Sequence, residues 1–310
     1  MALTTPEQTK SKENGVVPLV SVGMPAYNAE PFIAAAIESV LGQSLTNLEL
    51  IISDNASTDA TFSICQRYAA TDPRIRLERS AANVGAHPNY RKVADAARGT
   101  YFKWAAANDL VAPNYLESCV RTLETRPDAV LAFGSTVLFE HDPLQGAPYD
   151  DQMNIADEQP FLRFRRCLER MRLNNVLNGV MRLDTLRATS LMPNYMGADI
   201  LVLAELALAG KFIEVPATRF YRRMSPEAAT RLQSYEAVRR HHFPAGRARA
   251  LFQAWRLALG YWSAVMRARL PLGQRIAAAA YVAHLTYWHA TDLARDVRDA
   301  LRSWLLRDTR

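Results

Sequence analysis

Short apolar runs alternate with stretches of helical periodicity over Leu19–Phe133. Leu19–Met24, Leu48–Ser53, Ile75–Arg79, Tyr101–Ala105 and Ala129–Phe133 each have the length and composition of a buried strand. Between them, apolar residues at helical spacing predict helices over Pro31–Leu41, from a Ser57-Thr58-Asp59 cap to Ala70, over Pro88–Ala97 and over Pro113–Thr125. Alternation of this kind predicts βαβ units and a mostly parallel sheet flanked by helices. Beyond it, His141–Asp157 is polar and reads as a loop. Helices are expected at Glu158–Leu173, Asp184–Leu191 and Ala198–Ala209, and strands at Lys211–Val215 and Phe220–Arg223. From about Ser234 the chain is Ala-, Leu- and Arg-rich and helical, with breaks expected at Pro244, Gly260 and Pro271.

In a parallel sheet, ligands bind beyond the carboxyl ends of the strands. Three polar groups fall there: Tyr27-Asn28, Asp54-Asn55 and Asn108-Asp109. A carboxylate at Asp54 can accept hydrogen bonds from a base N–H or a ribose hydroxyl, but Asp-Asn-Ala-Ser-Thr-Asp is equally good turn chemistry. Tyr27 can stack on a base or belong to the core. Asn108-Asp109 can hold a hard divalent cation that completes its shell with water and phosphate, or can be a plain turn. Asp199 opens an apolar helix, where it favours the helix dipole or serves as a general base, with Glu205 as a competing base or an ion-pair partner.

The 310 residues are 49% apolar, enough for a full core without staples. Three cysteines, Cys65, Cys119 and Cys167, are an odd number without a C-x-x-C pair, which argues against a disulfide framework or zinc site and fits a cytoplasmic setting. No apolar run reaches membrane-spanning length, and residues 1–15 read as a polar leader. The net charge of +6 is uneven: residues 239–310 carry thirteen Arg and four Asp, a local +9. There Trp255, Trp262, Tyr281, Tyr287 and Trp288 interleave with Arg. Packing back on the main body is the favoured reading of this region, ahead of a homodimer interface or peripheral contact with the anionic inner face of a membrane. Nucleic acid is not expected, because the main body is acidic and no recognition motif occurs. Walker, G-x-G-x-x-G, G-x-S-x-G and H-E-x-x-H patterns are absent, and His241-His242 and the His284/His289 pair lack a supporting carboxylate at ligand spacing on their helices.

The order of these pieces resembles the family 2 glycosyltransferases of the GT-A fold. Val20-Ser-Val-Gly-Met-Pro-Ala-Tyr-Asn28 is similar to their opening strand and nucleotide loop, and Leu50-Ile-Ile-Ser-Asp-Asn-Ala-Ser-Thr-Asp59 to their second strand. Asn83-Val-Gly85, Ala97-Arg-Gly-Thr-Tyr101, Gly197-Ala-Asp199 with Ala204–Gly210, and Phe220-Tyr-Arg-Arg223 follow in the family's order. The resemblance covers Leu19 to Arg223. It implies a GT-A-type, Rossmann-like α/β domain over residues 16–233, divided near 135 into nucleotide and acceptor halves, with a basic helical region over 234–310.

The resemblance further implies an inverting transfer from a nucleotide-diphosphate sugar to the hydroxyl of a glycan, lipid-linked or small-molecule acceptor. Nucleotide contacts fall on Pro25, Ala26, Tyr27, Asn28, Asp54, Asn83, Gly85 and Asn108. Asp109 takes the metal, Mg²⁺ or Mn²⁺; Arg222 and Arg223 take phosphate; Asp199 is the base. Two positions depart from the pattern. Asn108 stands where the family has a second carboxylate, which weakens the case for a metal, and Met224 stands where many relatives have His, leaving Arg222 or Arg223 to supply positive charge. Two alternatives stay open: a nucleotide-sugar-binding module with impaired catalysis, and, ranked lowest, nucleotidyl transfer.

Overall fold

A computed structural model describes residues 17–224 and 251–305. The expected leader and the segment holding His241, His242, Pro244 and the 233/234 boundary lie outside the described residues.

The strands are β1 (Val20–Ala26), β2 (Leu48–Asp54), β3 (Ile75–Arg79), β4 (Tyr101–Trp104), β5 (Leu110–Val111), β6 (Ala129–Phe139), β7 (Ala147–Tyr149), β8 (Val180–Arg182) and β9 (Lys211–Arg223). They form a single nine-stranded sheet in the order β3-β2-β1-β4-β8-β6-β9-β5, with β7 on β6. β3, β2, β1 and β4 run parallel, whereas β8 pairs antiparallel to both β4 and β6. The mixed sheet has the α/β architecture expected from the alternating pattern.

Helices α1 (Ile33–Leu41), α2 (Thr61–Thr71), α3 (Ala86–Asp95) and α4 (Tyr115–Thr125) connect these strands, and α5 (Pro160–Arg170), α6 (Leu183–Arg187) and α7 (Ala198–Ala209) complete the body. α1 buries an i, i+3, i+4 stripe of Ile33, Ala36, Ile37 and Val40. Strand residues alternate between the two sides of the sheet. Val20, Val22, Met24, Leu50 and Ile52 enter one core, and Ile51, Phe102, Trp104 and Leu131 the other.

Several expectations need correction. The expected strands Lys211–Val215 and Phe220–Arg223 are one strand, β9, whose pairing with β6 shifts register between Gly134 and Ser135. β5 and β8, of two and three residues, are too short for a periodicity to register. The cap position of α2 is Ala60, and of the expected Ser57-Thr58-Asp59 cap it is Asp59 that serves from one residue earlier, its Oδ1 accepting from Thr61 N at 3.0 Å. The polar run His141–Asp157 is not simply a loop: it contributes β7 and buries Asp151, Met153 and Ile155.

The C-terminal region folds as α8 (Gln253–Arg267), α9 (Leu272–Trp288) and α10 (Ala290–Leu305). Pro271 precedes α9 as expected, but Gly260 does not break α8. It lies inside that helix because a Cβ there would meet the Tyr195 hydroxyl at 2.6 Å and Leu201 Cδ2 at 2.8 Å. α8 and α9 pack on α5 and α7 through a third cluster that includes Phe164, Leu201, Leu208, Val265 and Val282. Tyr281 meets Phe161 and Phe164 edge-on, and Trp255 Nε1 donates to Leu293 O. Packing back on the body therefore accounts for much of the region, while Tyr287 and Trp288 stay exposed. Among the described residues no helix is long and apolar enough to cross a membrane. The three cysteines are buried free thiols.

Candidate active site

A cleft of about 320 Å³ opens at the carboxyl ends of β1, β2 and β4, where a parallel sheet leaves room for a ligand. Nine of the residues singled out in the sequence line it: Pro25, Ala26, Tyr27, Asn28, Asn83, Asn108, Asp109, Arg222 and Arg223. Asp54, Gly85 and Asp199 are not among its lining residues.

Its nucleotide side is built by loop interlocking. Asn28, at φ 46°, accepts from Thr58 N through Oδ1 at 2.9 Å, while its own N–H donates to Ser57 Oγ at 3.0 Å. Asn55 donates to Asn83 Oδ1 at 2.9 Å and accepts from Val84 N at 3.0 Å. The Asn83 carboxamide oxygen is thus engaged in holding the loop, and Gly85, at φ 94°, supplies the backbone turn into α3. Tyr27 is 43% exposed on the wall. Asp54 is fully buried behind it. Its Oδ2 accepts from Ser57 N and pairs with Arg79 Nε, both at 3.2 Å, while Oδ1 is buried with no hydrogen-bond partner. A buried carboxylate oxygen left without a donor is costly, so it marks a place where a ligand N–H or O–H would be welcome.

The opposite wall follows from a strand pairing that the sequence does not announce. β5 pairs antiparallel with the end of β9, Leu110 opposite Tyr221, and this brings Asp109 against Arg223. Asp109 Oδ1 accepts from Arg223 N at 2.8 Å, and Arg223 Nε donates to Asn108 O at 3.1 Å. The Arg223 guanidinium lies between Phe32 and Phe139, 4.8 and 4.4 Å from the ring centres. Burial pushes the Asp109 carboxyl up to about 6, against the opposing pull of Arg223 and Arg222. Behind Asp109, Lys103 is buried on β4 and donates to Trp104 O and Asn178 O at 2.8 and 2.7 Å. Loss of hydration drives its ammonium down to about 7.

Asp199 stands in the first turn of α7, after Gly197 at φ 80°. It reaches the cleft through a lining residue, since Asn174 Nδ2 donates to Asp199 Oδ2. Asn174 Oδ1 faces Arg222 at 3.5 Å, and Arg222 donates to Asn175 Oδ1. Tyr90 lines the cleft as well; burial raises its phenol to about 12, with Asp109 and Asp199 adding to the effect and Arg222 opposing it. The three groups therefore share one electrostatic neighbourhood. Glu205 is not open to a substrate: it accepts from Ser190 N and Oγ and pairs with Arg267 of α8.

Among the described residues no three His, Cys, Asp or Glu side chains gather as a metal cage. The donor set of Asp109, whose Oδ2 carries no hydrogen bond among the described residues, with Asn108 beside it fits a hard cation that draws its remaining ligands from water and phosphate. Tyr90, Asn174, Asn178 and Lys103 had escaped the sequence reading. The Asn174-Asn175 doublet just after a predicted helix was the available signal.

Residues 21–169 match the family model of glycosyl transferase family 2. The sequence is 38% identical over 116 residues to the chondroitin synthase of Escherichia coli, covering 37% of this chain and 16% of that protein. The chain spans well under two thirds of the length of the curated relatives it matches. The fold is shared with solved structures. One is Staphylococcus aureus TarS 1–349 in complex with UDP-GlcNAc, with TM-score 0.58, 14% identity, and 83% and 69% of the two chains covered. Another is the mannosyltransferase PcManGT from Pyrobaculum calidifontis in complex with GDP-Man and Mn²⁺, with TM-score 0.56, 19% identity, and 95% and 80% covered. The GT-A expectation for the sheet and its helical extension holds.

Proposed function

We propose that the chain transfers a sugar, with inversion, from a nucleoside-diphosphate sugar to an acceptor hydroxyl. One observation carries this reading: the β5–β9 pairing sets Asp109 beside Arg222 and Arg223 on one cleft wall, and Asn174 ties Arg222 to Asp199. The nucleobase lies along Tyr27, with the unpaired Oδ1 of Asp54 accepting a base N–H once the Tyr27 loop yields. Arg222 and Arg223 bind the diphosphate. Asp199 takes the proton of the acceptor hydroxyl, whose oxygen bonds to the anomeric carbon as the bond to the diphosphate breaks on the opposite face. A Mg²⁺ or Mn²⁺ held by Asp109, with Asn108 beside it, would offset the charge of the departing diphosphate. UDP-GlcNAc and GDP-mannose, bound by the two solved relatives, are the first donors to test.

A thermal-shift screen of UDP, GDP and dTDP with and without Mn²⁺, followed by turnover assays, tests the proposal. One nucleotide should raise the melting temperature, more so with Mn²⁺, because a ligand bound only to the native state stabilises it. No shift with any nucleotide and no turnover of any sugar nucleotide would defeat it. The lone carboxylate of Asn108-Asp109 favours a second reading, a binding module with weakened metal chemistry. Nucleotide binding without turnover, reversed by Asn108→Asp, selects it.

A further inference from the structure

We infer that Asn174 is a positioning residue that sets the Asp199 carboxylate and the Arg222 guanidinium as one unit. The inference rests on Asp199 being the base proposed above. Asn174 lines the cleft and uses both ends of its carboxamide: Nδ2 donates to Asp199 Oδ2, and Oδ1 faces Arg222 at 3.5 Å. The same Arg222 nitrogen, Nη1, also donates to Asn175 Oδ1. Asn175 Nδ2 in turn donates to Asp151 Oδ1 at 2.8 Å, and Asp151 Oδ2 accepts from Thr136 Oγ1 at 2.5 Å.

This chain of contacts runs from β6 through the Asn174–Asn178 turn to the first turn of α7, linking elements far apart in sequence. Its inner end is anchored, since Asp151, Asn175 and Thr136 are all buried. Asp199 Oδ1 carries no hydrogen bond among the described residues, so the grip of Asn174 on Oδ2 leaves a single oxygen to receive a proton. A carboxamide serves this purpose where a carboxylate would not, because it donates to the acid and accepts from the guanidinium at once. A diphosphate that orders Arg222 thereby also orders the base, and acceptor activation follows donor binding.

Two measurements test this. With [¹⁵N]Asn-labelled protein, the Asn174 side-chain amide signals, identified by their loss in Asn174→Ala, should move in both Asp199→Asn and Arg222→Lys. In steady-state transfer with the donor selected by the screen above, Asn174→Ala should lower kcat roughly 10- to 100-fold, as misplaced catalytic groups do. The donor KM should change by no more than about threefold, the signature of an interaction used in the reacting complex. In an Asp199→Asn background the same substitution should cost no more in kcat, because Arg222 keeps its bond to Asn175 and the loss in kcat passes through Asp199. Amide signals indifferent to both variants, or kinetic losses that simply add, would overturn the role of Asn174 and leave the proposed reaction standing. Full activity in Asp199→Asn would remove the proposed base and Asn174's role with it.

Discussion

Lys103 offers a test of the site's interior that needs no substrate. Its Nζ is buried between the rings of Tyr115 and Phe220, at 5.2 and 5.6 Å from their centres, and among the described residues bonds only to two carbonyl oxygens. Lost hydration lowers its pKa from 10.5 to about 7, although Asp109 pulls the other way. In the unfolded chain the amine keeps its proton up to about 10.4. Between those two values the unfolded state binds more protons than the folded one, so stability must rise with pH across this window. The two values give roughly 1.6 kcal/mol of added stability between pH 7.0 and 8.5. For a chain of 310 residues that corresponds to a melting temperature higher by about 2–3 °C. Lys103→Met removes the titrating group, so the wild-type melting temperature should climb relative to the variant by that amount, followed by circular dichroism at several pH values. The comparison is of slopes. The carbonyl of Trp104 left without its donor lowers the variant's curve at every pH alike. Parallel curves for the two proteins would refute the argument that burial has discharged Lys103.

Two other substitutions probe separate links. Gly260→Val forces side-chain atoms into Tyr195 and Leu201, and should cost about 1–3 kcal/mol, read as a lower urea midpoint at unchanged slope. Asp109→Asn keeps an oxygen to accept from Arg223 N but loses the charge, so the melting temperature should hold while any Mn²⁺-dependent part of the nucleotide shift disappears in the thermal-shift assay.

What could be read from the sequence divides along physical lines. β1 and β2 are buried at every position, so their apolar runs stand out from their surroundings, and the polar residues that end them fall at the cleft mouth as the parallel topology requires. Tyr27, Asn108 and Asp109 were legible from their places after buried strands, whereas Arg222 and Arg223, inside β9, were expected from the family resemblance alone. β5 is legible to no pattern method, because two residues carry no period; yet its pairing decides which arginines meet Asp109. Asn174 and Tyr90 were missed for a different reason. Their roles depend on neighbours 19 and more residues away, and only the folded chain brings a doublet of asparagines between Asp199 and Arg222. Lys103 looked like one polar residue in an aromatic strand, and nothing local says that its end is enclosed.

Helix α7 shows why the C-terminal helices bear on the site although the family model ends at residue 169. An amphipathic surface helix has one apolar stripe, but α7 is buried on nearly all sides, from Ala198 to Leu208. The sheet side covers Val202, Leu203 and Leu206, whereas Leu201, Ala204 and Leu208 pack in the cluster with α5, α8 and α9. Phe164 and Leu201 are at most 1% exposed, and Leu208 is 5% exposed. Uncovering these three side chains costs roughly 5–9 kcal/mol at the usual value for a large apolar group. That is comparable to the whole stability of a typical domain. Glu205, 8% exposed, would also lose Arg267. A chain ended after Met224 should therefore fail to hold α7, and with it Asp199, in place: it should bind a hydrophobic dye and lose its cooperative melting transition. A truncated protein that melts cooperatively at the full-length temperature would show that α7 is self-sufficient and that Asp199 is set by Asn174 and the sheet alone.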